Sequence, residues 1–134
     1  DDLVEARMIV DRMEALGVER PALIVGTGIY ARELAAEVAA DARRAGMPII
    51  DTKDLRDDPD TVLDAAGELA GASAESRADA VVLVTEWPHL AELDWAALAG
   101  RMRSAVLVDG RNMLEPEAMR AAGFTYDAIG RAAN

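Results

Sequence analysis

Six consecutive residues, Gly26-Thr27-Gly28-Ile29-Tyr30-Ala31, carry the clearest chemistry in the chain. They fit the spacing G-x-G-x-x-(G/A), between an apolar run that reads as a strand and a stretch that reads as a helix. There the first glycine permits a tight turn, the second lets backbone approach a pyrophosphate, and the small third residue lets helix pack on strand. N–H groups and the positive end of the helix dipole would face phosphate oxygens, held by Gly26, Thr27, Gly28 and Ile29. Asp51 stands 20 residues beyond Ala31 and ends the next expected strand, where an acid binds a ribose diol. Gly26, Gly28, Ala31 and Asp51 therefore also fit an NAD site. A turn of this kind serves equally well for close helix packing in a protein that binds nothing there.

Thr85, Glu86 and Asp109 fall at the ends of two later apolar runs. Thr85 offers a neutral hydrogen bond, and either acid could accept one from a hydroxyl or cap the segment that follows. No residue reads as catalytic. His89 is the sole histidine and has no serine or cysteine nucleophile near it in sequence, which makes it a loop residue. Trp87 could border a ligand or pack over the helix that carries Trp95. The acids Asp51, Asp54, Asp57, Asp58 and Asp60 lack the alternating frame of a calcium loop, and no metal site is expected.

Strands and helices alternate along the chain and must position these residues. Leu3 to Leu16 reads as an amphipathic helix, with a capping box from Asp2 and Glu5 and a stop at Gly17. A strand over Ala22–Val25 leads into the glycine turn and a helix over Ala31–Ala45. Pro48–Asp51 reads as a second strand, and Asp58 with Pro59 opens a third helix to about Ala70. Ala80–Thr85 is apolar throughout, as in a strand covered on both faces. Asp94 caps a helix that turns Trp95, Leu98 and Met102 inward. A strand over Ala105–Asp109, a helix over Glu117–Ala122 and a strand over Phe124–Ile129 complete the series. The expected fold is α/β: a three-layer, Rossmann-like or flavodoxin-like, doubly wound parallel sheet of five strands in order 2-1-3-4-5. Ligands of such sheets bind beyond the carboxyl ends of the strands at the order reversal, here Gly26–Gly28 and Thr85–Trp87, with Asp109–Asn112 one strand out.

Composition narrows the partners. The 134 residues suit a single domain over 1–134, whose leading segment 1–20 packs on the sheet or pairs with a second copy through the Leu3–Leu16 helix. Twenty-five Asp and Glu against 14 Lys and Arg give a net charge of −11, which repels phosphate backbones and makes nucleic acid a poor partner. No apolar run approaches the ~20 residues that span a bilayer, and no targeting pattern is visible, so a cytoplasmic, membrane-free protein is expected. Absence of cysteine removes disulfides, thiolate metal sites and thiol nucleophiles from these residues.

From Ala78 to Arg131 the chain reads Ala-Asp-Ala-Val-Val-Leu-Val-Thr-Glu-Trp-Pro, Glu-Leu-Asp-Trp, Val-Leu-Val-Asp-Gly-Arg-Asn, then Pro-Glu-Ala-Met-Arg-Ala-Ala-Gly-Phe-Thr-Tyr and Ile-Gly-Arg. This resembles the C-terminal, UDP-sugar-binding domain of the UDP-glucose/GDP-mannose dehydrogenase family, with successive motifs in the family's order. The resemblance implies a UDP-sugar ligand contacted by Arg111, the arginine of the Asp-Gly-Arg motif. It also implies a whole enzyme that oxidises the sugar C6 alcohol with NAD, held on a separate Rossmann domain, through a thioester on a cysteine. This chain contains no such cysteine, so it is expected not to be an enzyme on its own. The family's Phe-Lys-Pro loop is replaced by the glycine turn, and the first 77 residues match the family in strand–helix order alone. Their Gly-Thr-Gly…Ala-Arg-Glu-Leu string is similar, more weakly, to the opening turn of sugar-nucleotide acetyltransferases. A piece of a larger dehydrogenase, a stand-alone relative without the chemistry, a recombined sequence and a non-catalytic docking domain all fit this pattern.

Overall fold

The computed structural model describes residues 2–26, 28–49, 51–54, 78–84, 94–102 and 104–129. Helix α1 (Asp2–Ala15) precedes strand β1 (Pro21–Val25), helix α2 (Ile29–Arg44), and strands β2 (Asp51–Asp54) and β3 (Ala80–Val84). Helix α3 (Trp95–Arg101), strand β4 (Val106–Asp109), helix α4 (Pro116–Ala121) and strand β5 (Thr125–Ala128) follow. The strands form one sheet in the order β2-β1-β3-β4-β5, and every neighbouring pair is parallel. This is the α/β fold that the alternation of elements predicts.

Side chains of successive strand residues leave the sheet on opposite sides and build two cores. On one side Ala22, Ile24, Val81, Leu83, Leu107 and Tyr126 meet Trp95 and Leu98 of α3 and Met119 of α4. Trp95 stands edge-on to Phe124, with 6.0 Å between ring centroids. On the other side Leu23, Val25, Val82, Val84 and Val108 meet Ala6, Ile9, Val10 and Met13 of α1 and Leu34, Ala35 and Val38 of α2. β1, β3 and β4 are buried along their whole length, which accounts for their continuous apolar runs.

The apolar face of α1 is thus spent on the sheet. Arg12 secures it further, donating from Nη1 to both carboxylate oxygens of Asp127 on β5, each at 2.9 Å. Leu3, Val4 and Met8 remain exposed. Three helices end on a left-handed glycine, Gly17, Gly46 and Gly123, with φ of 74°, 84° and 109°. After each, an N–H closes the helix end: Val18 to Met13 O, Met47 to Ala42 O and Phe124 to Met119 O.

One strand lies elsewhere than its sequence suggests. β2 runs Asp51–Asp54, not Pro48–Asp51. Met47 is buried and its N–H closes the end of α2, and among the described residues pairing with β1 runs from Asp51 to Asp54. The expected helix from Asp58 to about Ala70 and the loop over residues 71–77 lie outside the described residues. Among the described residues, no helix is long and apolar enough to cross a membrane.

Candidate functional site

The carboxyl ends of β1, β3 and β4 open on one edge of the sheet, where Gly26 donates its N–H to Val84 O at 3.5 Å. Gly28 is the N-cap of α2, with φ −71° and ψ 154°, and no side chain caps the helix start. Its own carbonyl accepts the first helical bond, from Arg32 N at 3.1 Å. A Cβ placed on Gly28 would meet nothing within 4 Å, so packing does not require glycine there and the flank of the turn is open. Ile29 is exposed, and half-buried Ala31 packs against the core. Thr27 lies outside the described residues.

The second wall is the loop after β4. Asp109 is fully buried and anchors it. Its Oδ1 accepts from the Arg111 N–H at 3.0 Å, and its Oδ2 accepts from the N–H groups of Met113 and Leu114 and from the Tyr126 hydroxyl, each at 2.8 Å. Three of those donors share Oδ2 and one uses Oδ1, so the carboxylate ties the loop backbone to β5. Asp109 is the post that holds the backbone of Arg111 in place. Gly110 passes so close to β3 that an added Cβ would lie 2.7 Å from Leu83 O and 3.1 Å from Ile9 Cδ1. Asn112 completes the turn with φ 56°; such a left-handed position suits asparagine better than most residues.

Arg111 reaches from this loop to the start of α2. Its guanidinium carbon stands 5.2 Å from the centroid of the Tyr30 ring, within cation–π range. Its Nη1 lies 3.5 Å from Glu5 Oε2, and the Tyr30 hydroxyl donates to Glu5 Oε1 at 2.7 Å. Glu5 thus places its carboxylate across the crevice, against Arg111 and Tyr30. The bond to Glu5 raises the Tyr30 phenol above its ordinary value of 10.0, with Arg111 pulling the other way. Sequence reasoning placed Arg111 but missed Tyr30 and Glu5 as its partners. The available signal was an aromatic inside the glycine fingerprint, one residue into a helix.

Asp51 stands at the start of its strand rather than at the end expected for it. It pairs with Ala22, whereas Asp54 pairs with Val25 beside the glycine turn. Three residue steps, about 10 Å, separate the two positions. Thr85, Glu86, Trp87 and His89 lie outside the described residues. No group of three metal-ligating side chains occurs among the described residues. A separate groove of about 420 Å³ lies between α2 and the β1–β2 edge, lined by Leu23, Val25, Arg32, Ala35, Ala36, Ala39 and Thr52.

Residues 63–116 match the UDP-glucose/GDP-mannose dehydrogenase family, UDP binding domain. That span contains β3, α3, β4 and the Asp109–Arg111 turn. A UDP-glucose 6-dehydrogenase of Pseudomonas aeruginosa is 48% identical over 59 residues, which are 44% of this chain and 13% of that protein. The chain spans between 12% and 15% of the length of the curated relatives it matches. Among solved structures, a UDP-D-ManNAc dehydrogenase from Pyrococcus horikoshii superposes with a TM-score of 0.58 at 16% identity, over 99% of this chain and 31% of that one. A substrate-binding periplasmic protein from Ralstonia solanacearum gives a TM-score of 0.63 at 16% identity, over 90% of this chain and 34% of that one. The two solved structures share the fold with this chain; the sequence match to the family covers residues 63–116, so it begins before Ala78 and stops short of the expected end at Arg131.

Proposed function

We propose that this chain is a nucleotide-sugar-binding module whose ligand is a UDP-sugar, seated in the crevice at the carboxyl ends of β1, β3 and β4. The observation that carries the reading is the juxtaposition of an uncapped, open helix start at Gly28 with a guanidinium fixed across from it. Backbone N–H groups of Gly26 to Ile29 take one phosphate, and Arg111 forks onto phosphate or sugar oxygens. Thr85 and Glu86, which follow Val84 in the sequence, supply hydrogen bonds to ribose or sugar. Asp109 acts through Arg111 as a positioning residue. The match of residues 63–116 to a UDP binding domain supports the choice of UDP over other nucleotides.

In this reading the module's role is to bind the nucleotide sugar, on its own or as part of a larger dehydrogenase. The oxidation that the family resemblance implies for a whole dehydrogenase needs a thioester-bearing cysteine, which these 134 residues do not contain. Residues 1–134 act as one unit in this reading. If the chain pairs with a second copy, Leu3, Val4 and Met8 are the exposed apolar residues that α1 offers, and light scattering across concentration reads that directly.

Isothermal titration with UDP, UDP-glucose and NAD in parallel, at low salt, tests the reading. Saturable binding of UDP and UDP-glucose, with NAD silent, is the expected result. Arg111→Ala should weaken UDP-glucose by about 2 kcal/mol, the loss of a charged hydrogen bond. NAD binding alone, or silence for all three from a cooperatively folded protein, would overturn it.

A further inference from the structure

The crevice already holds an anion, and it is part of the chain. Glu5 of α1 places one carboxylate oxygen 3.5 Å from Arg111 Nη1 and the other 2.7 Å from the Tyr30 hydroxyl, which donates to it. Three segments meet there: the first turn of α1, the first turn of α2 and the loop after β4. The core contacts of α1 lie further along the helix. Helix α1 is held by Ala6, Ile9, Val10 and Met13 in the core and by Arg12 on Asp127, all C-terminal to Glu5. Beyond Glu5 toward the chain start, Leu3 and Val4 are largely exposed.

We infer that Arg111 and Tyr30 form an anion-exchange site, in which the Glu5 carboxylate is the resident occupant and a phosphate group of the incoming ligand displaces it. The inference rests on the reading of the crevice given above and adds two residues to it. Tyr30 becomes a ligand-binding residue: its O–H turns from Glu5 Oε1 to a phosphate oxygen, while its ring keeps the Arg111 guanidinium from folding away. Glu5 becomes a specificity element. A monoanion recovers no more charge than the carboxylate it replaces, whereas a diphosphate carries more negative charge and more acceptor oxygens to the same guanidinium. Weak anions are turned away by a like charge already in place, and diphosphate esters are retained.

Titration of the 134-residue protein with inorganic pyrophosphate, and separately with UDP, tests this. The proteins are the parent chain, Glu5→Gln, Glu5→Gln combined with Tyr30→Phe, and Glu14→Gln. Glu14 is an exposed acid on the same helix, and its substitution changes the net charge equally without touching the crevice. Glu5→Gln should bind pyrophosphate about tenfold more tightly than the parent, the scale of one unscreened like charge removed from a partly buried anion site. Glu14→Gln should stay within about twofold of the parent, as an exposed charge screened by salt does. Tyr30→Phe placed in the Glu5→Gln background should lose much of the gain, because the phosphate then lacks its hydroxyl donor.

Equal pyrophosphate affinity in Glu5→Gln and the parent, or no binding by either, would overturn the inference. The UDP arm separates it from the proposed function. UDP binding that is saturable but the same in the parent and Glu5→Gln keeps the nucleotide reading and removes the exchange site. Pyrophosphate enhanced by Glu5→Gln, with UDP no better than pyrophosphate, keeps the exchange site and removes the nucleotide.

Discussion

The phenol of Tyr126 on β5 donates a 2.8 Å hydrogen bond to Oδ2 of Asp109 at the end of β4, in the interior of the protein. The same hydroxyl lies 3.2 Å from Leu114 O, on the far side of the loop that Asp109 ties down. The strand next to β4 thereby fixes the loop from which Arg111 projects. The site depends on this buried polar post as much as on the residues that face a ligand, because a guanidinium on a loose loop loses binding energy to ordering.

Removing the post should cost stability. Asp109→Asn replaces a two-oxygen acceptor with one oxygen and an NH2 that faces other donors, so at least one buried N–H loses its partner. Chemical denaturation should report a loss of about 2–4 kcal/mol, the range for breaking a buried charged hydrogen-bond set. Tyr126→Phe removes one donor and should cost about 1 kcal/mol. An Asp109→Asn protein as stable as the parent would show that the loop is held by other means.

Gly110 is the glycine of this site that sterics demand. Gly110→Ala puts a Cβ 2.7 Å from the Leu83 carbonyl oxygen, a backbone atom of the central strand that cannot step aside. A destabilisation of about 1–3 kcal/mol is expected, as for overpacking elsewhere. Trimming the other neighbour, Ile9→Val, should not restore it, because the carbonyl contact remains. Gly28→Ala, with nothing within 4 Å of the new methyl, should leave thermal stability nearly unchanged and weaken the ligand alone.

The anchoring of α1 has its own signature. Arg12→Gln leaves the Asp127 carboxylate, only 12% exposed, without the cation that grips both its oxygens. A loss of about 1–3 kcal/mol is expected for a partly buried pair broken on one side. Because α1 also carries Glu5, hydrogen exchange across its first turns should quicken in the same variant.

Much of this arrangement was legible in the sequence. Continuous apolar runs marked β1, β3 and β4, glycines after Leu16, Ala45 and Ala122 marked three helix ends, and the alternation of elements required a parallel sheet. β2 was misplaced because it is a polar edge strand, Asp-Thr-Lys-Asp, whose backbone pairs with β1 without help from hydropathy. That error moved Asp51 to the wrong end of its strand. Asp109 stayed open between two readings for a different reason: an acid at a strand end looks the same in sequence whether it turns toward a ligand or into its own loop. The contact of Glu5 with Arg111 joins residues 106 positions apart and exists only after the chain has folded.

The Tyr30 phenol supplies a pH test. Its proton is held by the Glu5 carboxylate, so it should titrate above 10.0 in the folded protein. The neutral phenol is the form that the fold prefers. Its contribution to stability is present below the ordinary value and is lost as pH rises through the raised one. Alkaline ultraviolet titration, with Tyr30→Phe to assign the signal, should show a downward shift in Glu5→Gln. An unchanged titration in that variant would contradict the contact.

The account stands or falls on where a nucleotide sugar sits. Amide chemical-shift mapping of the 134-residue protein during titration with UDP-glucose answers that question directly. Saturable shifts gathered at Gly26, Gly28, Ile29, Tyr30 and Arg111, with the α3–α4 face of the sheet and the groove by Thr52 unmoved, are the predicted result. Shifts confined to the Thr52 groove, or no saturable shifts from the folded protein, would contradict it.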